Sequence, residues 1–162
     1  MKISLIDPNH DLSEVVKVLN LSHETVAKEF GFTKESNPSN NAFIDETTLR
    51  MQLNKGIDLY VMSIDKRQIG CIAMEKSLKE TDTYYIEKVS VIPEFRHHGY
   101  GEKLMDFAIS KIKDLGGKTV SIALIDSNER LKKWYKLQGF NETGFKDFEH
   151  LPFRVCFMSK KI

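Results

Sequence analysis

Apolar residues in this chain follow helical spacing in some stretches and strand-like runs in others. The two patterns change over at polar or glycine-bearing breaks. Lys2 to Ile6 reads as a short first strand, ended by the polar run DPNHD. Leu12, Val15, Val16, Leu19, His23, Val26, Ala27 and Phe30 then recur at helical intervals, forming one face of an amphipathic helix with Gly31 as its stop. TKESNPSNNA predicts a polar loop, and Asp45 to Asn54 a second helix that ends before Gly56. Three runs of strand character follow, DLYVMSI, QIGCIAMEK and TYYIEKVSV. DKRQ is short enough to join the first two as a hairpin, and SLKETD joins the second to the third.

Beyond Gly101, the residues Leu104, Met105, Ala108, Ile109, Ile112 and Leu115 make a helical stripe, with Glu102, Asp106, Lys111 and Lys113 toward water. Gly116 and Gly117 are expected to supply its left-handed stop. KTVSIALI reads as a buried strand. Asp126, Ser127 or Asn128 can cap a helix that runs to about Gln138, before Gly139. FNETGFKDFEH and PFRVCFMS close the chain as an antiparallel pair. The order is strand, two helices, three strands, helix, strand, helix, two strands. Antiparallel neighbours with one strand–helix–strand crossover describe a mixed α/β sheet rather than a doubly wound parallel one.

Composition narrows the class without naming a chemistry. The 162 residues suit one domain, 1–162, with a real core. Lys and Arg number 24 against 23 Asp and Glu, so nothing demands nucleic acid or an anionic membrane as partner. Cys71 and Cys156 sit in apolar stretches without metal-ligand spacing and read as free buried thiols. MKISLIDPNH lacks the apolar core of a secretory signal, and no apolar run approaches the length of a membrane span. A cytoplasmic protein is expected.

The stretch that calls for chemistry is VSVIPEFRHHGYGEKL, Val89 to Leu104. It passes from strand to helix through Arg96, His97, His98, Gly99, Tyr100 and Gly101. A helix N-terminus leaves several N–H groups without internal partners and carries partial positive charge. Glycines at 99 and 101 would let the loop approach a ligand, so the turn can cradle a phosphate or pyrophosphate. The P-loop pattern fails because Glu102 follows Gly101 where Lys is required. The dinucleotide fingerprint fails because Leu104 stands in place of its third glycine. What is left is R-x-x-G-x-G, set against the plainer reading that the glycines only shape a loop. The histidine pair has no carboxylate or thiol at ligand spacing, so no metal is expected.

EKVSVIPEFRHHGYGEKLMDFAISKIKDLG followed by SNERLKKWYKLQGF resembles the GCN5-related N-acetyltransferases, the GNAT superfamily, over Tyr84 to Phe140. The resemblance implies the acyl-CoA N-acyltransferase fold, a mostly antiparallel mixed sheet of about six to seven strands flanked by four helices. It implies that R-x-x-G-x-G holds the pyrophosphate of acetyl-CoA through the main chain of Arg96 to Glu102. Asn128, Tyr135, Gly139 and Phe140 match the family's second signature, with Asn128 near the pantetheine arm. Val89, Ser90 and Val91 would pair with pantetheine amides as an added strand where the sheet splays, and an N–H near Val89 or Ser90 would polarise the thioester carbonyl. The cosubstrate would be acetyl-CoA and the acceptor a primary amine, attacked in a ternary complex without a nucleophilic cysteine. A CoA-binding sensor without turnover, or another acyl-CoA, are the alternatives.

Acyl transfer sets two proton tasks. A lysine-like amine with pKa near 10.4 is neutral in only about one molecule in 2,500 at pH 7, a deficit of roughly 4–5 kcal/mol. Protonating a thiolate of pKa about 8.5 from a tyrosine of pKa about 10 is uphill by only roughly 2 kcal/mol. The base matters more, and Glu87 is the candidate. In a regular strand it shares parity with Tyr85, Val89 and Val91, so a carboxylate interrupts an apolar row and its pKa should rise. An edge or a bulge that turns it to solvent is the plain alternative. Tyr135 is the candidate acid, against a role as a packed aromatic, and Asn128 has a simple N-cap as its alternative.

The resemblance places the acceptor pocket at roughly Phe32 to Phe43 and Gly144 to Phe153. Phe145, Phe148, Phe153 and Tyr60 are candidate lining residues, and Asp147 and Glu149 candidate attractors for an ammonium, although core packing and solvation explain each singly. His23 on its apolar face reads as a satisfied core histidine before a substrate contact. A small amine, an aminoglycoside, an amino acid or a peptide N-terminus all fit as acceptor. The strand RVCFMS could pair across a homodimer.

Overall fold

Each break in the pattern has a physical stop in the computed structural model, which describes residues 1–162. In chain order the elements are β1 (Lys2–Leu5), α1 (Ser13–Glu29), α2 (Glu46–Asn54), β2 (Asp58–Ile64), β3 (Arg67–Lys76), β4 (Thr83–Val91), α3 (Tyr100–Asp114), β5 (Thr119–Ile125), α4 (Glu129–Leu137), β6 (Asn141–Asp147) and β7 (Arg154–Lys161). The Asp45 carboxylate caps α2 by accepting the Thr48 N–H, and Asn128 caps α4 by accepting the Leu131 N–H. The first hairpin is tighter than DKRQ. Ile64 pairs with Arg67, leaving Asp65 and Lys66 alone at positive φ, the geometry of a two-residue turn with the strands' own twist.

The stop after α3 differs from expectation. Gly116 takes the left-handed conformation at φ +82°, whereas Gly117 does not. A side chain on Gly117 would collide with Ile112 and Tyr84, so this glycine permits close packing of helix end on sheet. Leu115 leaves the apolar stripe and is exposed.

All seven strands form one sheet in the order β1-β2-β3-β4-β5-β7-β6. Every neighbouring pair is antiparallel except β4 with β5, joined through α3. The fold is therefore mixed α/β with four helices, as the element order implied. β7 lies inside the sheet, paired with both β5 and β6. That corrects the expectation that RVCFMS could pair across a dimer, since its two edges are consumed and the free edges belong to β1 and β6. No helix is long and apolar enough to cross a membrane.

Two irregularities shape the middle of the sheet. The parallel pairing of β4 with β5 spans only Thr83↔Thr119, Tyr84↔Val120 and Tyr85↔Ser121, after which the strands diverge. β4 also carries a bulge. Cys71 pairs with Ser90 and Ala73 with Glu87, so Lys88 and Val89 together oppose Ile72, and Lys88 adopts φ +53°. The core on either side is apolar and closely packed, with Leu19, Leu49, Leu59, Ile72, Leu104, Met105, Ile112 and Phe140 inaccessible or nearly so.

Candidate active site

Where β4 and β5 part, a cavity of about 1040 Å³ opens. It is lined by Ile86 to Val91 of β4, Ser121 to Ile125 of β5, the start of α3, one face of α4, Ser22 and His23 of α1, and the loop around Asn37 to Asn41. Of the thirteen site residues expected from sequence, all but His98 line it. His98 is exposed, and its Nδ1 lies 2.7 Å from the Arg96 carbonyl oxygen.

At one end, α3 begins on Gly99 at φ +76°, preceded by His97 at φ +63°. The first main-chain bond of the helix runs from the Lys103 N–H to the Gly99 carbonyl. The N–H groups of residues 97–102 therefore have no main-chain acceptor within the chain. Glycine suits position 99 because its φ lies in the left-handed region that side chains disfavour. Gly101 is helical and serves packing instead. A Cβ there would stand 3.2 Å from the Trp134 ring of α4.

Arg96 does not offer its guanidinium to this cradle. It donates from Nε to the Val91 carbonyl (3.0 Å), from Nη1 to the Thr25 hydroxyl (3.0 Å) and from Nη2 to the Ser22 carbonyl (2.6 Å). The side chain pins α1 to the end of β4 and fixes the loop that follows.

The bulge decides how Glu87 is presented. Regular alternation would have set it in a row with Val89 and Val91, and the extra residue breaks that row. Nor does the bulge turn the carboxylate out to water. Glu87 is half-buried, and its Oε1 is wholly enclosed without a hydrogen-bond partner. Burial raises its pKa. Lys88 opposes that shift, and Glu75 adds to it. A carboxylate that lines a cavity with one oxygen left unpartnered can accept a proton or an ammonium.

The Ser90 hydroxyl, expected near a cofactor, is committed inside the protein. It lies 2.9 Å from the Lys88 carbonyl and 2.9 Å from His23 Nε2. The Cys71 thiol also reaches the Lys88 carbonyl, at 3.6 Å. The N–H of the same planar peptide, that of Val89, points away from that carbonyl. His23 is thus a satisfied histidine, and burial beside Lys88 and Arg96 holds its pKa down at about 4.

α4 brings two aromatics to the cavity. Tyr135 is almost fully buried, with its ring against Trp134 and Phe140. Burial alone pushes its hydroxyl well above the ordinary tyrosine pKa. Asn128 is a cap in fact, its side-chain oxygen spent on Leu131. Trp134 escaped the sequence reading because a tryptophan on an apolar helical stripe carries no mark distinguishing cavity from core.

The far end of the cavity is lined by Asn37, Ser39, Asn40, Asn41, Leu151, Phe153 and Phe157. Among the aromatics expected there, only Phe153 is present, tilted against Phe32 at 5.2 Å. Tyr60 lies on the other face of the sheet against Phe107 of α3. Phe145 packs over Lys132, and Phe148 over Lys146, neither at the cavity. Asp147 is exposed and paired with Arg154, and Glu149 does not reach the lining. No group of three or more His, Cys, Asp or Glu side chains is placed to hold a metal ion.

Comparison with known proteins follows the same lines. The sequence profile of the acetyltransferase (GNAT) family matches residues 23–140. An "uncharacterized N-acetyltransferase in pepI 3'region" of Lactobacillus delbrueckii subsp. lactis is 24% identical over 140 residues, 80% of this chain and 78% of that protein. The ribosomal-protein-S18-alanine N-acetyltransferase of Escherichia coli superposes with a TM-score of 0.75 at 16% identity, covering 99% of this chain and 93% of its own. An acetyltransferase from Bacillus anthracis str. Ames, crystallised in complex with acetyl coenzyme A, gives a TM-score of 0.58 at 22% identity over 66% of this chain and 63% of its own.

Proposed function

The chain belongs to the acetyltransferase (GNAT) family, and on that premise we propose that it transfers the acetyl group of acetyl-CoA directly to a primary amine within a ternary complex. The observation that carries this reading is the meeting of two unsatisfied features in one cavity. Five free N–H groups, those of His97 and of residues 99–102, stand at one part of it, and Glu87, whose Oε1 is buried without a partner, at another.

The diphosphate of CoA lies against the amides at the start of α3, where the helix dipole adds to their attraction. The pantetheine arm fills the wedge between β4 and β5 and bonds to main-chain groups that no strand takes up. The Val89 N–H, on the bulge that lines that wedge, stabilises the oxygen of the thioester carbonyl as negative charge develops on it.

In the transfer step the amine nitrogen attacks the thioester carbon, a C–N bond forms and the C–S bond breaks. Glu87, directly or through water, takes up the amine's proton, and a carboxylate whose pKa is raised by burial suits that work near neutrality. The thiolate leaves beside Tyr135. Burial makes this tyrosine a weaker acid than a free one, so its contribution is a hydrogen bond to sulfur rather than early proton donation.

The test is a free-thiol assay with acetyl-CoA and a panel of amines, alongside calorimetry with CoA. Binding of CoA with amine-dependent thiol release supports the proposal. Binding without release from any amine would replace it with a non-catalytic CoA-binding role.

A further inference from the structure

Lys88 is the one cationic side chain at the acceptor end of the cavity that is not committed within the protein. It is only 7% exposed, yet it forms no ion pair, and its Nζ has a single partner, the side-chain oxygen of Asn41 at 3.1 Å. An ammonium has three donors, so two are left for a ligand. A buried cation with one neutral acceptor is costly unless an anion completes it. Every other charged side chain buried as deeply is provided for. Lys132, equally enclosed, has Asp126 at 2.5 Å and Glu129 at 3.5 Å.

The surroundings are built to keep Lys88 there. The bulge gives it φ +53°, a conformation a lysine adopts only under constraint, and sets both Glu87 and Lys88 against the same cavity. In an unbroken strand two successive side chains would face opposite sides of the sheet. Asn41 is held in turn. Asn20 Nδ2 donates to the Asn41 carbonyl at 2.9 Å and to the Ile44 carbonyl at 3.1 Å. Because an ammonium only donates, Asn41 must give it the amide oxygen, and its NH₂ remains as a further donor.

We propose that Lys88 and Asn41 form an anion-recognition site for the acceptor, which is therefore an amine carrying a carboxylate a few atoms away, as in a free amino acid or a short peptide whose carboxylate folds back toward its amine. This rests on the acetyl-transfer reading above. Adjacent residues then address the two charges of a zwitterion, Glu87 the amine and Lys88 the carboxylate. The carboxylate takes up the two spare ammonium donors and the Asn41 amide.

The test compares free amino acids and dipeptides with their carboxamides as acceptors, by thiol release, in the parent and in Lys88→Gln. The acid-to-amide ratio of kcat/KM is expected to fall at least tenfold in Lys88→Gln and to be kept largely in Lys88→Arg. Taking the change in ratio between parent and variant cancels the different basicities of the amines. Should Lys88→Gln no longer bind CoA by calorimetry, the parent's own ratio decides, and a parent that prefers or equally accepts carboxamides overturns the inference. An unchanged ratio in a CoA-binding Lys88→Gln overturns it too, while acetyl transfer stands. No release from any amine overturns both.

Discussion

His23 of α1 and Ser90 of β4 are joined at 2.9 Å, so a helix side chain holds the strand at its bulge. The Ser90 proton goes to the Lys88 carbonyl, which obliges His23 to donate from Nε2. Its pKa is depressed to about 4 in the fold from an ordinary 6.5, chiefly by burial. The folded state thus resists protonation. The stability this represents is complete above pH 6.5 and lost as pH falls toward 4, on the order of 3 kcal/mol. Urea unfolding across pH 7 to 4 should show that loss in the parent and a flatter profile in His23→Gln; parallel profiles would refute it. Ser90→Ala leaves the imidazole N–H without its acceptor and should cost about 1–3 kcal/mol at pH 7.

Arg96 is expected to act through structure. Arg96→Ala removes three hydrogen bonds, two of them to main-chain carbonyls, and should lower stability by about 2–3 kcal/mol in urea titrations. The salt dependence of CoA affinity should keep its slope, because the guanidinium lies on protein acceptors. A clearly shallower slope would mean that Arg96 touches phosphate.

The two glycines of the loop should fail in different ways. Gly99→Ala meets no neighbour but must hold φ +76°, costing about 1–2 kcal/mol of stability. Gly101→Ala gains helix propensity and displaces the ring of Trp134, the sole tryptophan. Its thermal midpoint should change little, while tryptophan emission shifts and the KM for acetyl-CoA rises several-fold. Unaltered emission would show that the ring does not yield.

Glu87→Gln should lose about 10²-fold or more of kcat/KM at pH 7 and recover part of it as pH rises and more amine is neutral. Its stability should move the opposite way. A raised carboxylate pKa means that stability is present below the ordinary value of 4.5 and declines as pH climbs through the folded value. An uncharged isostere avoids that decline, so the variant should melt higher than the parent at pH 7. Activity and pH profile identical to the parent's would clear Glu87 of the base role.

Tyr135→Phe keeps the ring packing against Trp134 and Phe140 and removes only the hydroxyl. It should lower kcat about 10–100-fold, the scale of losing one hydrogen bond to developing charge, with CoA affinity by calorimetry within a few-fold. Equal turnover would exclude the hydroxyl from the mechanism.

The order of elements, most of their ends and the loop that opens α3 were legible because each depends on local features: periodicity, caps at Asp45 and Asn128, a left-handed Gly99. Glu87 was found as a carboxylate out of place in a strand. A bulge entered only as the alternative that turns Glu87 to solvent; that the bulge keeps it half-buried at the cavity was not visible, since nothing in YYIEKVSV marks a lysine for positive φ. Lys88 and Asn41 are far apart in sequence and meet only through the pairing of α1 with the loop after it. Tyr60 and Phe145 were misplaced for a related reason. Which face of a strand looks into the cavity depends on the whole sheet, and an aromatic reads alike on either side.

The brevity of the β4–β5 ladder has a consequence for motion. Three residue pairs at one end are all that stitch β1–β4 to β5–β7 within the sheet. The molecule is in effect two half-sheets meeting at a hinge line, with the helices spanning the joint. Whatever fills the wedge becomes the missing rungs of that ladder, so occupancy should stiffen both halves together, and amide exchange along Ile86–Val91 and Ile122–Ile125 should slow in step when it does.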